Sequence, residues 1–285
     1  MEMLHATAHN LKFFLVASLK RDFLSLEMIL NRNKKVGLWL VMLITLGSLV
    51  ALLNHGPIPQ ALSYHGFADR RVIWNISNFL DVLSNLAFVL VGLLGLYKTS
   101  GNDTINMIAG NSMSYKVFFM GVALVGLGSG YYHLSPGNAT LIWDRIPMTI
   151  AFMALFSIII GEFISIRLGS ILLVPLVSIG VLSVLYWHWT EAAGHGDLRP
   201  YIIVQFLPML VIPVILLCFN SRFTKVSGYW LLLSAYVIAK LFEHFDREIY
   251  AASGFVSGHT LKHVVAAIGL FILLLSFVSR RRTEQ

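Results

Sequence analysis

Eight stretches of this chain stay apolar for about 20 residues each, the length an α-helix needs to cross the hydrocarbon core of a bilayer. They fall at roughly 36–54, 77–98, 116–134, 141–165, 168–189, 199–219, 227–245 and 256–278. They lack the apolar–polar alternation of a barrel strand. Backbone groups in lipid must be paired within their own segment, so each stretch is expected to be helical. The longest connections are residues 55–76 and 99–115. Residues 11–30 read differently, because Lys20, Arg21 and Asp22 interrupt the apolar run that begins at Phe13. That pattern predicts an amphipathic helix lying on the membrane surface.

Composition sharpens the class. Apolar residues make up 57% of the 285 and charged residues only 12%, about half the charged share of a soluble domain. The net charge of +7 would suggest nucleic acid in a soluble protein. Here the basic residues flank apolar blocks, so the partner is a membrane lipid and no nucleic acid is expected. With the N-terminus inside, cytoplasmic segments hold fourteen of the 21 basic residues, against four outside: Arg70, Arg71, Arg199 and Arg247. The asymmetry predicts both termini in the cytoplasm and an even number of spans. Cys218 is the only cysteine, which excludes an intramolecular disulfide and a cysteine-ligated structural zinc site.

Ionisable groups inside spans are costly and mark function. They gather in three places. Asn78, Asp81 and Asn85 are spaced i, i+3, i+7, on one helical face. Ser129 and His133 are four residues apart and share a face, and after the Pro136-Gly137 turn Asp144 is expected in the first turn of the next helix, where a carboxylate suits the helix dipole. His259 and His263 are also four apart, a two-point clamp for a metal. Charge counting, which takes no account of these motifs, puts all three within about 12 Å of the outer helix ends at 1.5 Å per residue. Three histidines meeting at one depth predict a three-imidazole zinc site with an open fourth position.

At these residues the sequence resembles the CREST superfamily, which includes alkaline ceramidases and the adiponectin/progestin receptors. The resemblance rests on Ser84-Asn85, on Ser129 and His133 followed eleven residues later by Asp144, and on His259-x3-His263, in that order. It implies an all-α membrane fold with a seven-helix catalytic core, here 77–278. Span 36–54 would be an extra helix, and 1–35 a cytoplasmic amphipathic segment before it. It implies Zn2+ held by His133, His259 and His263, with Ser129 and Asp144 at the reaction centre. Asn78, Asp81, Ser84 and Asn85 would support the ligands. A second pair, Ser77-Asn78, allows a register seven residues earlier. Alkaline ceramidases also carry an acidic calcium-binding segment before the first core helix, with a Glu near the start of that helix. Here residues 67–78 are not richly acidic, and Asn78 stands where the Glu would. Asp69 and Asn78 offer too few oxygens for the six to eight that calcium takes, which argues against a calcium site.

The expected activity is hydrolysis of a lipid amide, ceramide or a related N-acyl lipid. A lipid-binding receptor of the same superfamily is the alternative. An intramembrane serine protease of the rhomboid kind needs Gly-x-Ser-Gly, and Leu127 stands where its first glycine would be. A transporter would show inverted repeats, and none is evident. Among outer-loop groups, Glu191 and Asp246 are candidates for headgroup contact against a background of solvated loop charge. His195, Asp197, Arg199 and Arg247 belong to the same set. Trp187-His188-Trp189 reads as an interfacial aromatic belt. Either Glu243 or His244 is expected to support a ligating histidine.

Overall fold

A computed structural model describes residues 32–101 and 105–283. The surface helix expected over 11–30, and most of the 1–35 segment, lie outside those residues. Among the described residues ten α-helices follow one another: α1 (Arg32–Asn54), α2 (Phe79–Ser84), α3 (Leu86–Ser100), α4 (Ser112–Leu134), α5 (Asn138–Ile159), α6 (Ile166–Ala192), α7 (Arg199–Cys218), α8 (Ser227–His244), α9 (Asp246–Ser253) and α10 (Gly258–Ser279). Taking α2 with α3, seven helices are long and apolar enough to cross a membrane. The protein is an all-α, multi-pass membrane protein.

The eighth expected span, 227–245, is a helix of 18 residues, but it falls short of the other seven in apolar content because Lys240, Glu243 and His244 occupy its last turns. Helix α1 stands apart: only 6% of its most apolar stretch is buried. It meets the bundle through Val41, Ile44 and Gly37, where an added methyl would overlap the side chains of Cys218 and Phe219.

Glycines set the tightest crossings. A methyl at Gly92 on α3 would overlap the backbone of Ala123 on α4, and one at Gly128 on α4 would overlap the Trp143 carbonyl on α5. Without a side chain at these positions, backbones pack directly, as small residues allow in membrane helices. The second crossing matters for chemistry. Gly128 precedes Ser129 and Trp143 precedes Asp144, so this contact brings α4 and α5 together at those two residues.

Two local expectations are corrected. Residues 77 and 78 are not helical; α2 begins at Phe79, and Asn78 takes a left-handed conformation with φ 48°. The helix then breaks at Asn85 between α2 and α3. Asn78, Asp81 and Asn85 therefore do not share one continuous helical face, although all three are buried. Helix α5 begins at Asn138 immediately after Gly137. Asp144 thus sits in its second turn, inside the bundle, and the dipole argument does not hold it there.

At the end opposite the histidines, a π-helical turn, Ile160–Ile164, closes α5 and buries Glu162 completely. Arg280 Nη1 pairs with Glu162 Oε1 at 2.7 Å. Tyr115 donates its hydroxyl to the same carboxylate, and Arg280 also bonds the Asn106 carbonyl at 2.7 and 2.9 Å. Removing one partner of a buried ion pair strands the other. Arg280→Met is expected to lower stability by about 3–5 kcal/mol, read by denaturant unfolding in detergent, and adding Glu162→Leu should recover much of the loss.

Candidate metal centre

Three histidines from two helices converge at one end of the bundle. His133 lies in the last turn of α4, and His259 and His263 lie one turn apart at the start of α10. The start of α10 is fixed by Ser257, whose hydroxyl accepts the Thr260 amide at 3.0 Å. A second cap comes from Asp246, whose Oδ1 accepts the His259 amide at 2.7 Å. Gly258 permits this, since a methyl there would overlap the Phe242 carbonyl.

The three rings are buried, with exposures of 1%, 5% and 4%. Their centroids are 4.8, 4.9 and 5.1 Å apart, and one nitrogen from each lies within 4.8 Å of the others. His133 Nε2 and His259 Nε2 are 3.3 Å apart. Two nitrogens at about 2.0–2.1 Å from a tetrahedral zinc would be about 3.3 Å from each other. The donor set therefore fits a metal ion, and among the described residues it is the only group of three or more His, Cys, Asp or Glu that does.

The surrounding polar residues orient the rings. His263 Nδ1 is 2.8 Å from Ser84 Oγ and 3.5 Å from Asn85 Nδ2, which leaves its Nε2 for the centre. Asn78 Nδ2 donates to the His133 carbonyl at 2.8 Å. Asp81 Oδ1 accepts from Ser257 at 3.1 Å and Thr260 at 2.6 Å, tying α2 to the start of α10. The Asp81 carbonyl takes Ser84 and Asn85 at 3.0 and 2.7 Å. Phe67, which no sequence pattern marks, packs on His133 and His259 with centroids 4.6 and 4.4 Å away.

The loop carrying Phe67 is pinned by the same Asp246, whose Oδ2 accepts the Ala68 amide at 2.9 Å. Asp246 is thus a clasp between loop and α10. The Asp69 carboxylate receives Arg71 at 2.6 and 2.8 Å. Burial alone would raise this carboxyl, but the hydrogen bonds and charge of Arg71 outweigh it and hold the group below the usual carboxylate range. Both side chains that could have served calcium are thereby engaged, Asp69 by Arg71 and Asn78 by the His133 carbonyl.

A cavity of about 370 Å3 opens beside the histidines and runs between the helices, within the range of small-molecule sites. Ser129, Asp144 and His263 line one end, and Phe118, Leu155, Ile159 and Ile212 line the remainder. Ser129 and Asp144, from neighbouring helices, both face this cavity. From Asp144 to Ile159 the α5 wall extends about 22 Å at 1.5 Å per residue.

Comparison with known protein families matches residues 69–285 to the ceramidase family. The chain belongs to the ceramidase family. Membership implies amidohydrolase activity on a lipid, and it agrees with the resemblance carried by the Ser, Asp and His motifs. Helix α1 precedes the ceramidase match. No curated protein matches the chain.

Within this ceramidase-family fold, several outer-loop expectations change. Glu191 is a structural hub: it accepts the Gln60 amide at 3.1 Å, Trp187 Nε1 at 3.3 Å and Asn138 Nδ2 at 3.3 Å. Trp187 is fully buried, its face against Arg145, whereas Trp189 is exposed; an aromatic belt describes only the latter. Asp197 is held by Arg199, whose hydrogen bonds keep its carboxyl below the usual range. Glu243 bonds Lys240 and Lys262, and His244 is exposed, so no direct bond from either to a histidine ring is seen.

Gly128→Ala tests the α4–α5 crossing. The added methyl must displace the Trp143 backbone, and overpacking of this kind costs about 1–3 kcal/mol. The expected result is a matching fall in unfolding free energy, larger than for Gly130→Ala, whose added methyl would meet nothing closer than 4.0 Å.

Proposed function

We propose that the chain hydrolyses a lipid amide, ceramide or a related N-acyl lipid, and that the reaction depends on zinc. The observation that carries this is the convergence of three buried imidazoles, one of which, His263, lines a largely apolar cavity together with Ser129 and Asp144. An acyl chain fits the apolar length, and the amide then lies at the polar end.

His133, His259 and His263 would hold the zinc. In that position it supplies a Lewis acid for the amide carbonyl and lowers the pKa of a water. Asp144 accepts the proton of the attacking water and delivers it to the leaving amine nitrogen. Ser129 donates a hydrogen bond to the oxygen that gains charge as the carbonyl carbon becomes tetrahedral. Ser84 fixes the His263 ring so that Nε2 faces the centre, with Asn85 and Asp81 behind it. Phe67 covers two of the rings and limits bulk water. The basic-residue asymmetry supports cytoplasmic termini and a metal centre towards the outer face.

The tests separate the roles. His259→Ala should lose both zinc, by metal analysis of purified protein, and lipid amide hydrolysis; full zinc and full turnover would reject the proposal. Asp144→Asn should keep zinc yet lower kcat by about 10²–10⁴-fold, the range of general acid–base catalysis. Ser84→Ala removes a partner of a ligating ring and should weaken zinc affinity by about 10–100-fold in chelator competition.

A further inference from the structure

The cavity wall holds a cation without a matching acid. Arg145 follows Asp144 on α5 and lines the cavity beside Gln60 and Tyr64. It is 5% exposed. Its Nη2 donates to Gln60 Oε1 at 2.5 Å, while Nη1 is buried with no hydrogen-bond partner. The ring centres of Trp187, Tyr201 and Tyr64 surround the guanidinium at 4.3, 4.6 and 5.7 Å. None of the salt bridges among the described residues includes Arg145. The other two cations of the lining, Lys240 and Lys262, share the single carboxylate of Glu243 at 2.5 and 3.0 Å. Asp144 is the remaining acid of the lining, and the proposed reaction commits it to proton transfer.

A guanidinium cannot shed its proton when buried, and an unpaired buried charge is costly. Aromatic faces offset part of that cost but leave the Nη1 protons unused. A guanidinium of this kind is suited to carboxylate, phosphate and related oxyanions. Adjacent positions on α5 lie about 100° apart around the helix, and both side chains reach the cavity. With Asp144 serving the amine nitrogen, Arg145 is the cation next to it in sequence that shares its cavity.

We propose that Arg145, together with Gln60 and Tyr64, receives an anionic headgroup on the amine side of the scissile amide. The substrate class is then an N-acyl lipid bearing a carboxylate, phosphate or sulfonate. This rests on the hydrolytic reading above and narrows its substrate.

Three amides with one acyl chain test it: N-palmitoyl glycine, N-palmitoyl taurine and the neutral N-palmitoylethanolamide, each given to the zinc-loaded full chain. A charge-assisted contact of ordinary strength should favour the two anions over the neutral amide in kcat/KM by at least about tenfold. That ratio should collapse towards one in Arg145→Gln and persist in Arg145→Lys, which keeps the charge. A wild type that favours the neutral amide, or an unchanged ratio in Arg145→Gln, overturns the proposal. If Arg145→Gln does not fold, the wild-type preference alone decides. Cleavage of ceramide with none of the three amides cleaved overturns this proposal and leaves the hydrolytic reading standing; if ceramide also resists, the hydrolytic reading fails and binding decides separately. Tighter binding of N-palmitoyl glycine than of the ethanolamide by the wild type supports the anion site, and equal binding sinks it.

Discussion

A polar side chain inside an apolar bundle has only the protein to bond with, since lipid offers no hydrogen bonds. That constraint organises this molecule. Among the described residues, many of its buried polar groups collect in two clusters at opposite ends of the bundle. One end holds Glu162, Arg280, Tyr115 and Asn106, joined to one another. The other holds the histidines with Asn78, Asp81, Ser84, Asn85, Ser257 and Thr260. Between them the bundle is apolar and leaves the cavity. The first cluster is bonded within itself, with Glu162 Oε2 left over. The second leaves nitrogen atoms of three rings facing one another, which is an arrangement that asks for a cation.

Backbone approach makes that second cluster possible. Ser129 and Asp144 are neighbours because Gly128 lets α4 rest on the Trp143 carbonyl, and His259 reaches the centre because Gly258 lets α10 rest on the end of α8. Each glycine stands immediately before a residue of the site. The site is thus carried by helix crossings, whose positions are fixed by packing, and only its cover, Phe67, comes from a loop. That loop is in turn bound to α10 by Asp246, which accepts one amide from each. A rigid base with a clasped cover suits a reaction that must place an amide carbon accurately and still admit water from one side.

Much of this was legible in the sequence because lipid leaves few alternatives. Blocks of about 20 apolar residues can only be helices, and the few polar residues within them have to face inward. His133, His259 and His263 stood out for that reason, and they converge. The break at Asn85 was not legible, because the polar spacing of Asn78, Asp81 and Asn85 fits an unbroken helix equally well. The early start of α5 at Asn138 was missed because Asn138, Ala139 and Thr140 carry no apolar signal. The loops at the histidine end were the least readable. Glu191, Asp246 and Trp187 looked like solvated charge and an interfacial ring, yet they hold the loops to the bundle. Their partners lie far away in the chain, and no spacing rule connects them.

The placement of the cavity bears on why such a site would be built in a membrane at all. An acyl chain already in the bilayer gains little hydrophobic free energy on entering an apolar slot, because lipid is as apolar as the slot. Selectivity must then come from the polar end, where the surroundings of the amide differ from lipid. The cavity lining concentrates unlike charges from three helices: Asp144 and Glu243 against Arg145, Lys240 and Lys262. Discrimination by buried polar groups is strong because a wrong headgroup leaves them unpaired. In the proposed reaction the apolar lining would position the acyl chain, and the polar lining residues, Gln60 and Lys262 among them, would discriminate between headgroups.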